Sequence, residues 1–310
     1  MPAALIAFLL VVVAIALRFG VKQRIERASA ARHTRGPTGI VRGAEPIDLP
    51  GAGPGAVLLL HGFNDTPQSL VPLAAELQER GWTVRVPLLP GHGRTLRDFA
   101  RSRAQDWIGA ARQELAELRV QHDAVAVAGL SMGGALATIL AAETRDLVAV
   151  VLLAPYLAVP LWIRLAARAH PLIDAVMPYV SGGESRSIDD PVARSRSLAY
   201  DAATARLVWE LTTLVRVAQA ALPRVTAPAL IIQSPSDNRV PPEVAERAFA
   251  RLGSRERRLV WTTRGRHVIT VDDGATEVAS TAAEWLDDHL AKYHTHGVAT
   301  HERQAGPEAG

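Results

Sequence analysis

The sequence predicts an α/β fold in which a mostly parallel, doubly wound sheet carries a helical cap insertion and follows an N-terminal transmembrane helix. Three observations lead to this prediction. Apolar strand-like runs alternate with helical patterns from residue 56 onward, about 75 residues separate the fourth and fifth of these runs, and an uncharged apolar stretch opens the chain. Alternating strands and helices are typical of a parallel sheet with crossover helices.

Composition limits the classes of function. The 310 residues include no cysteine, which excludes disulfides, a thiol nucleophile and a thiolate metal site. The net charge of +3 is unevenly distributed, because residues 1–35 carry a net +5 and the rest of the chain a net −2. The globular part is therefore not a basic surface, and a nucleic-acid partner is not supported.

The N-terminal apolar stretch is predicted to be a single-pass membrane anchor over residues 1–21. Residues 3–17 are apolar and uncharged, and the span reaches Val21 if the side chain of Arg18 extends to the membrane surface. Basic residues follow the stretch, which places the catalytic domain in the cytoplasm. A secretory signal peptide, giving a secreted or periplasmic protein, is the alternative, but it expects basic residues before the apolar run.

A linker is predicted over residues 22–55, first basic and then rich in Gly and Pro, with a short edge strand expected near 40–42. The folded domain is predicted over 56–291 and a disordered tail over 292–310. His294, His296 and His301 in this tail lack a scaffold that would make them a metal site. The predicted strands are 57–60, 83–86, 124–128, 148–153, 229–233 and 258–261, and the predicted helices are 68–80, 104–119, 132–143, 242–251 and 274–290.

The long gap between the fourth and fifth strands is predicted to be a cap at about 156–225. It reads as helices over 159–169, 172–180 and 191–222 with a polar loop at 181–191. An insertion here lies over the carboxyl ends of the strands, where α/β sites open. Apolar cap residues line an acyl channel, touch a membrane surface or only pack the cap onto the sheet; the candidates are Leu157, Leu161 and Trp162.

The sequence Gly129-Leu130-Ser131-Met132-Gly133 predicts the catalytic nucleophile. It lies between a predicted strand and a helix of small residues, which is the context of a nucleophile elbow. We expect Ser131 in a strained backbone conformation that leaves no room for side chains at positions 129 and 133. The helix that starts beneath the serine favours the negative charge that develops during acyl transfer.

A serine nucleophile needs a base and an acid that orients the base. Asp237 follows the strand 229–233, and His267 follows the strand 258–261, which is the chain order Ser, acid, His. We predict that His267 takes the hydroxyl proton of Ser131 and then gives it to the leaving group. Asp237 is predicted to orient the imidazole. Asp272 and Asp273 are alternative acids that we expect instead to cap the helix starting near residue 274.

The oxyanion hole requires two backbone N–H donors. Met132 follows the nucleophile and supplies one, and the turn after the first core strand supplies the other, from Phe63 or alternatively Asn64. His61 and His92 lie in glycine-containing loops near the same edge of the sheet, and we interpret both as structural.

These motifs together resemble the bacterial carboxylesterase and monoacylglycerol-lipase branch of the α/β-hydrolases, over residues 56–291. The segments that carry the resemblance are His61-Gly62-Phe63, Pro90-Gly91-His92-Gly93, Gly129-Leu130-Ser131-Met132-Gly133-Gly134, Ser236-Asp237-Asn238-Arg239-Val240-Pro241-Pro242 and Arg266-His267-Val268-Ile269. The resemblance implies hydrolysis of short- or medium-chain carboxylic esters, such as monoacylglycerols, without a cofactor or a metal. It assigns Ser131, Asp237 and His267 as the triad and the N–H groups of Phe63 and Met132 as the oxyanion hole.

Other functions share this machinery. Acyltransferases, thioesterases, peptidases and amidases form the same acyl-enzyme, so the sequence leaves the acceptor and the leaving group open. A non-catalytic membrane scaffold on the same fold is a further alternative, although the chain retains all three predicted triad members.

Overall fold

The computed structural model describes residues 2–181 and 187–304. Its strands are β1 (Ile47–Leu49), β2 (Gly55–Leu60), β3 (Thr83–Val86), β4 (Ala124–Leu130), β5 (Val150–Leu153), β6 (Val180–Ser181), β7 (Ala202–Ala203), β8 (Ala229–Gln233) and β9 (Arg257–Trp261). Seven of them form one sheet in the order β1-β3-β2-β4-β5-β8-β9. Strand β1 is antiparallel to β3, and the other neighbours in this sheet are parallel.

Helices cover both faces of this sheet. The α-helices of the described residues are α1 (Pro2–Arg32), α2 (Val71–Glu79), α3 (Leu96–Phe99), α4 (Ala104–Gln121), α5 (Met132–Glu143), α6 (Leu161–Arg168), α7 (His170–Val176), α8 (Pro191–Arg196), α9 (Ala205–Ala221), α10 (Pro242–Arg251) and α11 (Ala275–Gln304). One core layer joins the sheet to α4, α5, α9 and α10, and the other joins it to α2 and α11. The central strands are apolar along their length because both of their faces are buried.

The insertion between β5 and β8 forms a cap of helices α6–α9 with the small antiparallel pair β6–β7. The helix predicted over 172–180 ends earlier, at Val176, and its last residue, Val180, belongs to β6. The helix predicted over 191–222 is divided, since α8 ends at Arg196 and Thr204 caps the start of α9. The predicted polar loop at 181–191 falls partly on residues 182–186, which lie outside the described residues.

The ends of the chain differ most from the sequence prediction. Helix α1 continues to Arg32, so the boundary predicted at residue 22 falls inside it. The edge strand expected near 40–42 is wrong: Val41 forms an isolated bridge with Arg35, and the edge strand is β1. The tail predicted from residue 292 is helical through Gln304 as part of α11, while residues 305–310 and the side chains of His296 and His301 lie outside the described residues.

Helix α1 is long and apolar enough to cross a membrane by length and composition. An 18-residue window of it has a mean hydropathy of 2.7, and none of that window is buried. A signal sequence near an N-terminus has the same properties, so this feature alone does not distinguish the two.

Candidate active site

Ser131 occupies the sharp turn between β4 and α5. Its backbone has φ +55° and ψ −112°, a conformation that non-glycine residues rarely adopt. Three hydrogen bonds hold the turn: the Ser131 N–H donates to the Leu153 carbonyl, and the Ser131 carbonyl accepts from the N–H groups of Tyr156 and Ala135. The strain is therefore maintained by the neighbouring strand β5 and by the first turn of α5.

The two glycines that flank this turn are required by close packing. A Cβ atom at Gly133 would lie 1.9 Å from the carbonyl oxygen of Leu60, and one at Gly129 would lie 2.1 Å from the carbonyl oxygen of Gly133. Both distances are far below van der Waals contact, and both involve backbone atoms that cannot move aside. The start of α5 can thus lie directly against the ends of β2 and β4 only because these positions lack a side chain.

Three side chains that the sequence predicted to act together form one hydrogen-bonded chain. The Nε2 atom of His267 lies 2.8 Å from the Ser131 hydroxyl, and its Nδ1 atom lies 2.8 Å from Oδ2 of Asp237. Because a carboxylate only accepts, Nδ1–H donates to Asp237 and Nε2 is left to accept from Ser131. Asp237 follows β8 and His267 follows β9. The loops at the carboxyl ends of the parallel strands therefore bring together residues that are far apart in sequence.

Asp237 is held by several donors. Its Oδ1 accepts from the N–H groups of Arg239 and Val240, at 2.7 and 2.8 Å, and its Oδ2 accepts also from the Gln233 amide at 2.9 Å. Burial raises the pKa of this carboxyl, but the interaction with His267 and the two backbone N–H groups outweigh it, so the pKa is lowered. The acid is therefore an ionised acceptor that keeps the imidazole in one orientation.

The predicted oxyanion-hole segments lie beside Ser131. Met132 is the first residue of α5, where backbone N–H groups have no partner within the helix. Phe63 lies in the loop after β2; its ring contacts those of Phe99 and Trp107. The preceding Gly62 runs so close that a Cβ there would lie 3.5 Å from the Ser131 Cβ. Their role as oxyanion donors stays a prediction.

His61 and His92 are both fully buried and lie near this loop. The Nε2 atom of His61 accepts from the Leu89 N–H at 3.1 Å, and its Nδ1–H donates to the Gly62 carbonyl at 3.0 Å. Burial lowers the pKa of His61 to about 4 and that of His92 well below its usual value. His61 thus joins the loop after β2 to the loop after β3 as a neutral hydrogen-bonding group, in agreement with the structural interpretation.

A cavity of about 440 Å³ opens above Ser131 under the cap. Trp162 lines it as the sequence analysis anticipated, together with Ile163 and Ile173. The other two cap candidates do not line the cavity. Leu157 is buried in the main core, and Leu161 is largely exposed, because α6 directs its positions 162, 163 and 166 to the cavity and 161 and 165 away from it.

The lining of the cavity also includes polar residues that the sequence did not single out for this role. Asp65 lines the cavity, where its carboxylate accepts from the Thr66 N–H and the Ser69 hydroxyl. Burial raises the pKa of Asp65, outweighing these hydrogen bonds. Arg239 also lines the cavity, and its Nε donates to the Ser187 hydroxyl. The order Asn-Asp-Thr-Pro is an ordinary turn signal, so only the position of the turn after β2 could have drawn attention to Asp65.

Asp272 is neither the triad acid nor a side-chain cap of α11, and the expectation that it caps this helix was wrong. Its Oδ1 accepts from the N–H groups of Asp189, Asp190 and Asp273, and its Oδ2 accepts from that of Arg266. Burial raises its pKa, but these four donors outweigh the effect and lower it. Asp272 therefore joins the loop of His267 to the cap.

Comparisons with known proteins agree with this architecture. The Hydrolase_4 family model, described as serine aminopeptidase, S33, matches residues 52–274. A thermostable monoacylglycerol lipase from Bacillus sp. (strain H-257) is 32% identical over 256 residues, which cover 81% of this chain and 97% of the lipase. A carboxylesterase from Bacillus subtilis (strain 168) is 23% identical over 234 residues, covering 75% and 92% of the two chains.

Solved structures show the same fold. One from the metagenome-derived lipolytic enzymes LipS and LipT has a TM-score of 0.74 and 30% identity, covering 81% of this chain and all of that one. The monoacylglycerol lipase of Paleococcus ferrophilus has a TM-score of 0.68 and covers 79% of this chain and 98% of its own, but at 22% identity it supports the fold alone. The chain belongs to the Hydrolase_4 (S33) family of α/β-hydrolases and is a homologue of monoacylglycerol lipase and carboxylesterase.

Proposed function

We propose that the protein is a membrane-anchored serine esterase that hydrolyses lipid-like carboxylic esters, with short- or medium-chain esters and monoacylglycerols as substrates. The observation that carries this proposal is the hydrogen-bonded chain Ser131–His267–Asp237 at the base of a largely apolar cavity. The names of the lipase and carboxylesterase relatives support the choice of an ester bond.

The proposed reaction follows from the positions of the atoms. As the Ser131 oxygen attacks the ester carbonyl carbon, His267 Nε2 takes the hydroxyl proton, and Asp237 stabilises the resulting imidazolium. The negative charge on the substrate oxygen is stabilised by the N–H groups of Phe63 and Met132. His267 then protonates the departing alcohol, and a water molecule repeats the sequence on the acyl-enzyme to release the carboxylic acid.

The cavity supports a substrate with one apolar and one polar end. Aliphatic and aromatic side chains of the cap, such as Trp162 and Ile173, line most of it, and these suit an acyl chain. The side chains of Asn64, Asp65 and Gln68 line the other part, and they suit the hydroxyl groups of a small alcohol such as glycerol.

The apolar first half of α1 supports a single-pass anchor. None of its apolar window is buried, and basic residues follow it on the side of the folded domain, which favours a cytoplasmic catalytic domain. A reporter fused to the C-terminus tests this orientation. Activity of an exported-only reporter would reverse it and favour the periplasmic or secreted alternative.

A fluorophosphonate probe tests the nucleophile. We expect it to label the wild type and not Ser131→Ala, which removes one oxygen atom and leaves the turn in place. A wild-type protein that stays unlabelled, while its fold is intact by circular dichroism, would overturn the proposal.

A substrate panel separates the esterase from the functions that share an acyl-enzyme. The panel contains p-nitrophenyl esters, monoacylglycerols, acyl-CoA and aminoacyl anilides, the last because the family is described as serine aminopeptidase. We expect the p-nitrophenyl esters and monoacylglycerols to be cleaved fastest. Faster cleavage of the anilides or the thioester would replace the esterase by a peptidase or a thioesterase.

A further inference from the structure

The loop after β2 contains a carboxyl group that the proposed triad does not use. Asp65 lines the cavity above Ser131 and is partly buried there. A Cβ atom added at Gly62 would lie 3.5 Å from Oδ2 of Asp65 and also 3.5 Å from the Cβ of Ser131. The carboxylate is therefore a close neighbour of the nucleophile, although the acid bonded to His267 is Asp237.

This carboxylate accepts hydrogen bonds from both ends of a short backbone segment. The N–H of Gly62 donates to it from one side, and the N–H of Thr66 donates to its Oδ1 from the other, at 2.8 Å. Phe63 and Asn64 lie between these two donors. A single side chain thus closes the segment into a ring of hydrogen bonds, which limits the backbone conformations that the segment can adopt.

The segment needs this support because part of it is strained. Asn64 has φ +60°, a left-handed conformation that a non-glycine residue keeps only where its surroundings impose it. The Asn64 carbonyl accepts from the N–H of Tyr200 in the cap, at 2.9 Å, and the ring of Phe63 packs against two aromatic rings of the core. These contacts hold a carbonyl and a side chain, whereas the Asp65 carboxylate holds the N–H groups at the two ends.

Ser69 joins the carboxylate to a helical element. Its hydroxyl donates to Oδ2 of Asp65 at 2.5 Å, and Ser69 is buried in the 3₁₀ turn Pro67–Leu70 that precedes α2. Three donors therefore surround the carboxylate, and they use most of the hydrogen bonds that it can accept. The Asp65 side chain is built into the loop by these contacts, and its position is set by the turn.

We infer that Asp65 is a positioning residue for the oxyanion hole: its carboxylate holds the N–H of Phe63 at the point where the substrate oxygen becomes negatively charged. This inference rests on the proposed esterase function and on the predicted role of Phe63. An oxyanion donor stabilises the transition state best from a fixed position, because a donor that must reorganise during the reaction loses much of its effect. The ring of hydrogen bonds around Phe63 supplies such a position.

A direct contact with the substrate is the alternative role of Asp65, since its side chain also lines the cavity. The two roles affect different substrates and different kinetic constants. A contact with the alcohol part acts on esters that carry hydroxyl groups, such as monoacylglycerols, and chiefly on KM. A positioned oxyanion donor acts on every ester and on kcat, because the charge on the carbonyl oxygen develops in the transition state.

Asp65→Asn in the full chain separates these roles. The amide keeps the size of the side chain but replaces one accepting oxygen by a donor, so at least one hydrogen bond of the ring or of Ser69 is lost. Rates are measured at pH 8 because burial raises the pKa of the Asp65 carboxyl, and only its ionised form accepts with both oxygens. We expect kcat to fall at least tenfold on p-nitrophenyl butyrate and on monoacylglycerol alike, with KM changed less than twofold.

A transition-state analogue gives a readout that a purely structural role would not change. An alkylboronic acid forms a tetrahedral adduct with Ser131 and places an oxygen in the oxyanion hole, whereas 1-octanol occupies the cavity without such an oxygen. We expect Asp65→Asn to weaken inhibition by the boronic acid by about the factor lost in kcat/KM and to leave inhibition by octanol unchanged. Equal weakening of both inhibitors would assign Asp65 to the general shape of the cavity and overturn the positioning role.

Asp287→Asn is the matched control. Asp287 also accepts from two side chains, Trp82 and Arg80, but it lies on α11 and does not line the cavity. This variant should lower the melting temperature and leave kcat unchanged. If Asp65→Asn does not fold, Ser69→Ala decides the question: we expect kcat to fall at least threefold with KM unchanged, and an unchanged kcat would overturn the inference.

The remaining outcomes separate this inference from the proposed function. An unchanged kcat in folded Asp65→Asn would overturn the positioning role, while hydrolysis by the wild type leaves the esterase standing. A higher KM on monoacylglycerol alone would replace positioning by a substrate contact. Wild-type protein that hydrolyses neither ester would overturn the proposed function and the inference together.

Discussion

The buried histidine at the end of β2 predicts how acid destabilises the fold. Burial lowers the pKa of His61 to about 4, whereas an unfolded chain has the ordinary histidine pKa of about 6.5. Between these values the unfolded state binds a proton that the folded state does not bind. The stability that His61 contributes is therefore fully present above pH 6.5 and is lost as the pH falls toward 4.

The size of this loss follows from the two pKa values. A difference of about 2.5 units corresponds to about 3 kcal/mol in total. Between pH 7.5 and pH 5 the His61 contribution is about 2 kcal/mol of unfolding free energy. This free energy is not reduced by solvent screening, because the His61 side chain is fully buried. The lowered pKa of His92 acts in the same direction. The free energy of unfolding of the wild type should therefore fall by more than His61 alone accounts for.

Urea unfolding of the full chain in a neutral detergent measures this effect. The buried Trp82 and Trp107 report on unfolding by their fluorescence. In His61→Gln, an amide replaces the imidazole and retains an acceptor for the Leu89 N–H, so the loss of stability between pH 7.5 and pH 5 should be about 2 kcal/mol smaller than in the wild type. His294→Gln, on the surface of α11, controls for removing an imidazole. Equal losses in the wild type and His61→Gln would refute the assignment of acid sensitivity to this residue.

Three further predictions concern the turn and the site. Gly133→Ala places a Cβ 1.9 Å from a backbone oxygen, so we expect it to abolish esterase activity and to lower the melting temperature. At Gly109, a helical position, nothing lies within 4 Å of an added Cβ, so Gly109→Ala should raise the free energy of unfolding by about 0.5–1 kcal/mol. A destabilised Gly109→Ala or an unaffected Gly133→Ala would contradict the packing argument. Asp237→Asn should lower kcat by about 10⁴-fold with the fold intact, since the amide no longer holds His267 in one tautomer; a loss under tenfold, in steady-state assays, would remove Asp237 from the proposed triad. Asp272→Asn should lower the melting temperature and also kcat, by far less than Asp237→Asn; an equal loss of kcat would indicate a direct catalytic role.

Several elements could be predicted because their signals are local. The bounds of α5 and α10 agree with the sequence prediction, and the parallel sheet with helices on both faces is confirmed. The contact between Ser131, Asp237 and His267 followed from a topological rule, since loops at the carboxyl ends of neighbouring parallel strands meet at one edge. The resemblance to the carboxylesterase and monoacylglycerol-lipase branch is also confirmed.

Other features depend on tertiary contacts that leave no local pattern. Strand β1 has three residues, and it is a strand because Ile47 and Leu49 pair with β3. The continuation of α1 to Arg32 is charged and was interpreted as linker, yet Ile25 packs on the main core and Glu26 bonds to Tyr179. The spacing of apolar residues predicted neither β1 nor the second half of α1. Both depend on partners that lie more than 30 positions away in the sequence.

The cap was predicted as an insertion, but its orientation was not. An apolar cap helix has two sides, and sequence alone does not decide which side faces the cavity. Leu161 and Trp162 are adjacent and equally apolar, yet only Trp162 lines the cavity. The direction is set by the packing of α6 and α7 on α9, which lies about 40 residues further along the chain.

The cap is joined to the catalytic site on one side and to α1 on the other. Asp272 accepts N–H donors from cap residues Asp189 and Asp190 and, through its other oxygen, from Arg266, the neighbour of the proposed base. Separating this part of the cap from the His267 loop would expose a carboxylate that four backbone donors now satisfy, which makes it costly. Helices α6 and α7 lie outside this junction and pack on α9. The cap therefore contains one part that is bonded to the His267 loop and another part, α6 and α7, that lines the cavity above Ser131.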